Sequence, residues 1–195
     1  MARVWLVLML CFFPVTVSAQ EGLPRIDWAV VFAQNPGETE TKILEGGLIV
    51  EELKLPDGAF VQRHNTKDGI IYDVQFQSAG DNADQAGCLF TFYLYQVVRD
   101  EYCPEYADTE KGRTIIDRFE RISKFVGDNS VPPVTGGALS DAIASKKAEL
   151  RDVISRPVCK YLPTDPFEYY SGMEAGAKIS KALRHPRLPV MGNCL

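Results

Sequence analysis

The chain has 195 residues and a formal net charge of −5 at pH 7, from 21 basic and 26 acidic side chains. This acidic balance, without a cluster of lysines and arginines, argues against nucleic-acid binding and against attachment to an anionic membrane surface. A chain of this length can bury a sizeable core within one domain.

The first 19 residues have the pattern of a secretory signal peptide. Arg3 gives a short positive segment, residues 4–15 are almost wholly apolar, and a small-residue cleavage site ends at Ala19. The apolar run is about a dozen residues long, whereas a membrane-spanning helix needs roughly 20. We therefore predict a periplasmic or secreted protein, with a single mature domain over residues 20–195 and no membrane insertion after cleavage.

Four cysteines remain in the predicted mature chain, and an even number in an oxidising compartment predicts two disulfides. The chain has no C-x-x-C motif, and neither histidine lies at ligand spacing from a cysteine, so a metal site is the less favoured interpretation. The predicted disulfide residues are Cys88, Cys103, Cys159 and Cys194.

The segment from Cys88 to Arg99 is the densest aromatic and β-branched run in the chain. Both alternating sets of its side chains are largely apolar, which is typical of a strand covered on both faces. Aromatic and β-branched residues lose side-chain freedom in a helix, so the pattern favours a strand over a helix. We predict a central strand here.

A straight strand over this segment restricts the disulfide connectivity. Eleven steps of about 3.3 Å carry the chain roughly 36 Å, and the next four residues can return only about 14 Å, whereas bridged Cα atoms lie within about 7 Å. Cys88–Cys194 with Cys103–Cys159 is therefore the preferred pairing. A bulge or an early end of the strand would instead allow Cys88–Cys103 with Cys159–Cys194.

Four further strand-like segments precede this run and alternate with turn residues such as Pro56-Asp57-Gly58. Together with the central strand they predict an antiparallel β-meander of about five strands. The four segments are Arg25–Phe32, Leu48–Leu55, Ala59–Arg63 and Ile70–Gln77.

After Cys103 the apolar residues recur at helical spacing and predict about three helices. The first is Thr109–Val126 with Gly127 as its C-cap, and the second is Asp141–Ile154 with Ser140 as its N-cap. The third begins at Asp165-Pro166 and ends before His185-Pro186. Strands followed by helices predict an α+β domain with the helices packed on the sheet.

The last predicted helix carries a possible ligand surface formed by Tyr169, Tyr170, Gly172 and Gly176. The glycines are interpreted structurally as sites of close packing and functionally as bare backbone that a ligand could contact. The tyrosines belong either to the core or to an aromatic platform for a sugar or peptide. The expected buried face of this helix is Tyr169, Met173, Gly176, Ser180 and Leu183.

Catalytic candidates are few. His64 lies in a predicted turn and His185 at a helix end, and no G-x-S-x-G or Ser-x-x-Lys motif supplies a nucleophile for them. Asp100 and Glu101 carry adjacent carboxylates. The sequence does not determine whether two carboxylates face one cleft at the separation that a glycosidase uses. The acidic loop 81–84 lacks the EF-hand pattern and is interpreted as a solvated loop.

Since no catalytic constellation or cofactor motif is identified, the sequence predicts an exported, non-catalytic binding protein without a cofactor. Its expected partner is a protein or a component of the cell envelope. The alternative is a cell-envelope hydrolase that uses carboxylates as acid and base. An exposed apolar patch would favour binding, whereas a cleft with two convergent carboxylates, or a histidine bonded to a serine, would favour hydrolysis.

Overall fold

The computed structural model describes residues 23–56, 58–76, 85–153, 164–191 and 194. Its antiparallel sheet has the order β1-β2-β3-β4, with β1 at Thr39–Ile43, β2 at Ile49–Lys54, β3 at Ala59–Thr66 and β4 at Gly69–Phe76. A short 3-10 helix, Pro36–Glu38, precedes β1. The helices are α1 Trp28–Gln34, α2 Ala86–Tyr102, α3 Pro104–Ala107, α4 Glu110–Asp128, α5 Gly136–Val153, α6 Thr164–Ser171 and α7 Met173–Ala182.

The predicted α+β class and the antiparallel meander are confirmed, but the details differ. The described residues form four strands instead of about five, and seven helices instead of about three. The signal segment and the acidic loop 81–84 lie outside the described residues, so both of those predictions stand as predictions.

The predicted central strand is wrong, because the segment from Cys88 to Arg99 lies within the 17-residue helix α2. This helix is buried on most sides, and Phe90, Tyr93 and Val98 are each at most 1% exposed. A helix enclosed all round carries apolar residues at almost every position, so both alternating sets look like a two-sided strand. Burial in the tertiary structure has outweighed local propensity here.

The predicted first strand, Arg25–Phe32, is also wrong, since α1 occupies most of it. Asp27 is the N-cap of this helix, and its carboxylate accepts a hydrogen bond from the Val30 N–H at 3.2 Å. Such a cap satisfies one of the free N–H groups of the first turn and starts the helix. Strand β1 was not predicted, because its sequence, Thr-Glu-Thr-Lys-Ile, contains a single apolar residue.

Two hydrophobic cores hold the described residues together. The larger core is formed by the helices around α2 and α4, where the rings of Phe90 and Phe119 lie 5.7 Å apart. The smaller core packs Val31 and Phe32 of α1 against Leu53 and Val61 of the sheet. The larger core contains no sheet residue, so the expected packing of the C-terminal helices on the sheet is not what holds them.

A short parallel bridge joins the two cores. The Asp27 N–H donates to the Val131 carbonyl at 2.7 Å, and the Val131 N–H donates to the Arg25 carbonyl at 2.8 Å. Val131 follows α4 and also packs against the smaller core. The segment before α1 is therefore fastened to the end of α4.

The predicted Cys88–Cys194 disulfide is confirmed, with the two Cα atoms 5.3 Å apart. This pairing was predicted from an extended strand, whereas the segment is a helix. A helix from Cys88 to Cys103 still rises about 22 Å, so those two cysteines remain too far apart to bond. Cys103 is buried and in its disulfide form. Its predicted partner, Cys159, lies outside the described residues, so that pairing remains a prediction.

Two helix boundaries differ from the sequence prediction. Thr109 caps α4 by accepting the Gly112 N–H at 3.0 Å, but Gly127 lies inside this helix and is not its C-cap. Helix α5 begins at Gly136, so Ser140 lies within it and is not the N-cap.

The last predicted helix is broken at Gly172 into α6 and α7. The break shifts the helical phase, so α7 buries Ala175, Ile179 and Ala182 instead of the predicted face. Met173 of the predicted face is 92% exposed, and Ser180 is exposed as well.

The interior position of Gly127 leads to a prediction on stability. A Cβ there would lie 2.3 Å from the Val134 carbonyl oxygen, so Gly127→Ala is expected to lower the free energy of unfolding by about 1–3 kcal/mol through overpacking. At Gly137 of α5 a Cβ would have no neighbouring atom within 4 Å. Gly137→Ala is therefore expected to raise the free energy of unfolding by about 0.5 kcal/mol. Urea unfolding of both variants tests the assignment, and equal effects would contradict it.

Candidate binding surfaces

The structure brings Tyr169 and Tyr170 into one aromatic cluster, places Gly172 beside it and covers Gly176 with an arginine side chain. Tyr169 and Tyr170 lie in the last turns of α6, where Tyr169 is 43% exposed and Tyr170 is partly buried. Gly176 faces the Arg118 side chain, whose Nη2 would be 2.7 Å from a Cβ at that position. Gly172 is the N-cap of α7. The bare backbone of Gly176 is therefore covered by a guanidinium group.

The aromatic cluster consists of Phe92 and Tyr93 from α2 together with Tyr169 and Tyr170 from α6. The Tyr170 ring meets both Tyr93 and Tyr169 edge to face at centroid distances of 5.3 Å, and Phe92 lies 6.4 Å away. Such edge-to-face pairs stabilise an arrangement beyond the area they bury. The cluster is thus a defined arrangement of rings.

Hydrogen bonds to the backbone fix the cluster in place. The Tyr170 carbonyl accepts from the Tyr93 hydroxyl at 2.8 Å and from Arg118 Nη1 at 2.5 Å. Burial raises the pKa of Tyr93 and that of Tyr170, so both hydroxyls are protonated at neutral pH. Phe92 and Tyr93 were not predicted as members of this cluster, because their segment was predicted to be a strand.

A cavity of about 130 Å³ lies beside the cluster, and Leu89, Ala175 and Lys178 complete its lining. Lys178 donates to the Tyr169 hydroxyl at 2.9 Å and pairs with Glu174 at 3.3 Å. The hydrogen bond to Tyr169, followed by the one to Glu174, raises the pKa of Lys178. A cavity of roughly 150 Å³ holds one benzene-sized group, so this one accepts a single side chain and not a large ligand.

A second cavity, of about 430 Å³, lies between α1, the end of β2 and the C-terminal segment. Its lining includes Val31, Asn35, Leu53, Val131 and Leu188. No local sequence pattern indicates it, because four separate segments of the chain form its wall.

The far end of the sheet is apolar and exposed. Ile43 is 74% exposed, Ile49 60% and Ile70 53%, and Ile43 lies directly opposite Ile49 in the register. Helix α1 packs on the other end of this face, where Leu53 and Val61 are buried. This apolar patch was not predicted from the sequence, because β1 was not predicted to be a strand.

The two adjacent carboxylates have opposite environments. Burial raises the pKa of Asp100 to about 6, only partly offset by the charge of Arg99. Burial also acts to raise the pKa of Glu101, but hydrogen bonds from Lys147 and Arg151 outweigh it and lower that pKa. Asp100 is 4% exposed and lines none of the cavities found in the described residues.

The two histidines lie apart. His64 is in strand β3 and not in a turn, and its Nδ1 is 3.7 Å from Asp73 Oδ2. His185 is exposed after α7. The described residues contain no group of three or more potential metal ligands, and none of their helices is long and apolar enough to cross a membrane.

Comparison with models of protein families, with curated proteins and with solved structures found no match.

Proposed function

We propose that the chain is an exported, non-catalytic binding protein, periplasmic or secreted, that recognises a protein partner through the aromatic cluster. The observation that supports this best is the half-exposed Tyr169 beside a cavity with room for one side chain. An interface of this kind receives an anchor residue of the partner in a pocket surrounded by aromatic rings.

The composition of the surrounding surface supports a protein partner. Tyrosine, phenylalanine and methionine are enriched at protein interfaces. Met173, three residues beyond Tyr170 in the chain, is a methionine that is 92% exposed. Lys178 adds a cationic group at the rim of the cavity.

The compartment is supported by the disulfide, since disulfides persist mainly in oxidising environments. The predicted signal segment agrees with export, although it lies outside the described residues. A hydrolase that uses carboxylates gains no support from Asp100, because that residue is only 4% exposed.

A substitution at the exposed tyrosine tests the site. Tyr169→Ala is expected to weaken binding of the partner at least tenfold, because truncation of a tyrosine at a binding hot spot costs about 2 kcal/mol or more. The partner is captured beforehand by a photocrosslinking side chain at position 169, with position 65 in the sheet as the control. Affinity is then measured by titration of the purified partner.

Tyr95→Ala provides a matched control for the affinity measurement. Tyr95 is 41% exposed, similar to Tyr169, but it lines none of the cavities found in the described residues. Its replacement is expected to change affinity less than threefold. Equal losses in both variants, or crosslinking from position 65 alone, would refute the aromatic cluster as the binding surface.

A further inference from the structure

Within the described residues, the outer edge of β1 is not paired with another strand. In the described residues β1 pairs only with β2, and Leu44 donates to the Leu48 carbonyl at 2.8 Å where the two strands meet. Antiparallel pairs alternate between those that exchange hydrogen bonds and those that do not. The even-numbered residues of β1 therefore face β2, and Thr39, Thr41 and Ile43 direct their N–H and C=O groups outwards.

A second hydrogen bond supports the same assignment. Leu55 donates to the Ala59 carbonyl at 2.8 Å, which directs the odd-numbered residues of β2 towards β3. The even-numbered residues of β2 must then face β1, as the pairing of Lys42 with Val50 requires.

The charges of β1 select one register for pairing with a second copy. An antiparallel partner must place outward-facing residues opposite each other, so the pairing is centred on Glu40, Thr41 or Lys42. Centring on Glu40 or Lys42 puts like charges directly opposite, which is unfavourable. Centring on Thr41 puts each Glu40 opposite the Lys42 of the other copy and uses all three outward-facing residues.

The sheet already contains a charge arrangement that this register would complement. Glu40 lies directly opposite Glu52 on β2, and the two carboxylates are offset within the chain by Lys54 and Lys42. A Lys42 from a second copy would lie on the other side of Glu40. At the junction between the two sheets, each Glu40 would then lie between Glu52 of its own chain and the oppositely charged Lys42 of the other copy.

The opposite face of the sheet carries a cavity of about 330 Å³ beside β1. Its lining combines the apolar Phe32, Ala33 and Pro36 with Thr39, Thr41 and the Arg63–Glu51 ion pair. With Thr41 at the centre, Ile43 of the second copy lies directly opposite Thr39, on the face that carries this cavity. Its side chain, 74% exposed in the single chain, would lie at the mouth of the cavity.

We propose that two copies of the chain form a two-fold symmetric dimer by antiparallel pairing of their β1 strands, centred on Thr41. The dimer joins two four-stranded sheets into one of eight strands and pairs the outward-facing backbone groups of both edges. The dimer interface contains no residue of the aromatic cluster, so the test of the dimer is independent of the test of the proposed binding function.

Sedimentation velocity of the oxidised mature chain tests the dimer. The fraction of dimer in the wild-type chain is expected to rise with protein concentration and to be measurable by about 1 mM, as for a weak association. Glu40→Lys is expected to weaken it at least tenfold, because Lys would then face Lys42 of the other copy. Within one chain this lysine lies opposite Glu52, so the variant is expected to fold.

Mixing two variants gives the sharper result. Lys42→Glu alone is expected to be monomeric, whereas an equimolar mixture of Glu40→Lys with Lys42→Glu is expected to restore dimers within about threefold of wild type, because opposite charges face each other again. Thr41→Pro removes an outward-facing N–H, spares the internal ladder and is also expected to abolish the dimer.

Asp73→Lys is the matched control, because Asp73 lies on β4 at the opposite edge with a side-chain exposure of 53%, against 58% for Glu40. It is expected to leave the dimer unchanged. The proposal is overturned if the wild-type chain remains monomeric at about 1 mM, or if Glu40→Lys and Thr41→Pro dimerise as wild type does. If Lys42→Glu fails to fold, these two variants still decide the outcome.

Discussion

Replacing Cys88 and Cys194 together by alanine is expected to lower the free energy of unfolding by about 3–5 kcal/mol. The bond closes a loop with a sequence separation of 106, and a loop of this length restricts the unfolded chain strongly. Cys88 is fully buried at the start of α2, and the neighbouring Gly87 packs closely against the Val190 carbonyl. Loss of the bond therefore also releases the C-terminal segment.

Two probes separate the consequences of this change. Trp28 lies by the smaller core, so its fluorescence reports on the sheet, while far-ultraviolet circular dichroism reports on the helices. In the wild-type chain the two urea transitions are expected to coincide, as in two-state unfolding. In the double alanine variant the helical transition is expected to move to lower urea. A shift equivalent to less than about 1 kcal/mol would show that the bond adds little to stability.

Asp100→Asn is expected to stabilise the chain at pH 8 and to flatten the dependence of its stability on pH. The folded-state pKa of Asp100 is raised to about 6, above the unfolded value, so the folded protein binds the extra proton. Stability contributed by this group therefore falls as pH rises. From these pKa values the wild-type chain is expected to gain about 1.4 kcal/mol on going from pH 8 to pH 5, and the full penalty at high pH is about 3 kcal/mol.

Urea unfolding at several pH values between 5 and 8 measures this slope. Asp141→Asn is the control, since Asp141 is an exposed carboxylate on α5. The pKa values of Glu52 and Glu101 are lowered in the folded chain, so their contribution to stability is lost at acidic pH. The lower limit of pH 5 avoids that range. A pH slope in Asp100→Asn equal to that of the wild-type chain would contradict the assignment.

The parts of the fold that the sequence predicted well are those where local chemistry decides. Gly58 and Gly69 both have positive φ angles, at 84° and 135°, and the strands around them were correctly placed. Thr109 caps α4, as the start of the predicted helix required. Glycine tolerates positive φ without a steric penalty, so it marks a turn whatever surrounds it.

The errors arise where tertiary contacts decide. The apolar residues of α2 are needed on nearly all its sides because other helices and the C-terminal segment enclose it, and no local pattern reveals that enclosure. The aromatic cluster shows the same limit. Tyr169 and Tyr170 were identifiable as neighbours in the sequence, but Tyr93 is 77 residues from the carbonyl it binds.

The Cys88–Cys194 bond also divides the chain mechanically. It makes the segment from α2 to the C-terminal residues a covalent ring, so tension applied through the two ends of the chain passes across the bond and not through the helices. A segment of this length would otherwise extend by roughly 350 Å. Under load α1 and the sheet, which precede Cys88, are free to unravel, whereas the helices after Cys88 and the aromatic cluster keep their shape. A protease cut between α4 and α5 would likewise leave both fragments attached to each other.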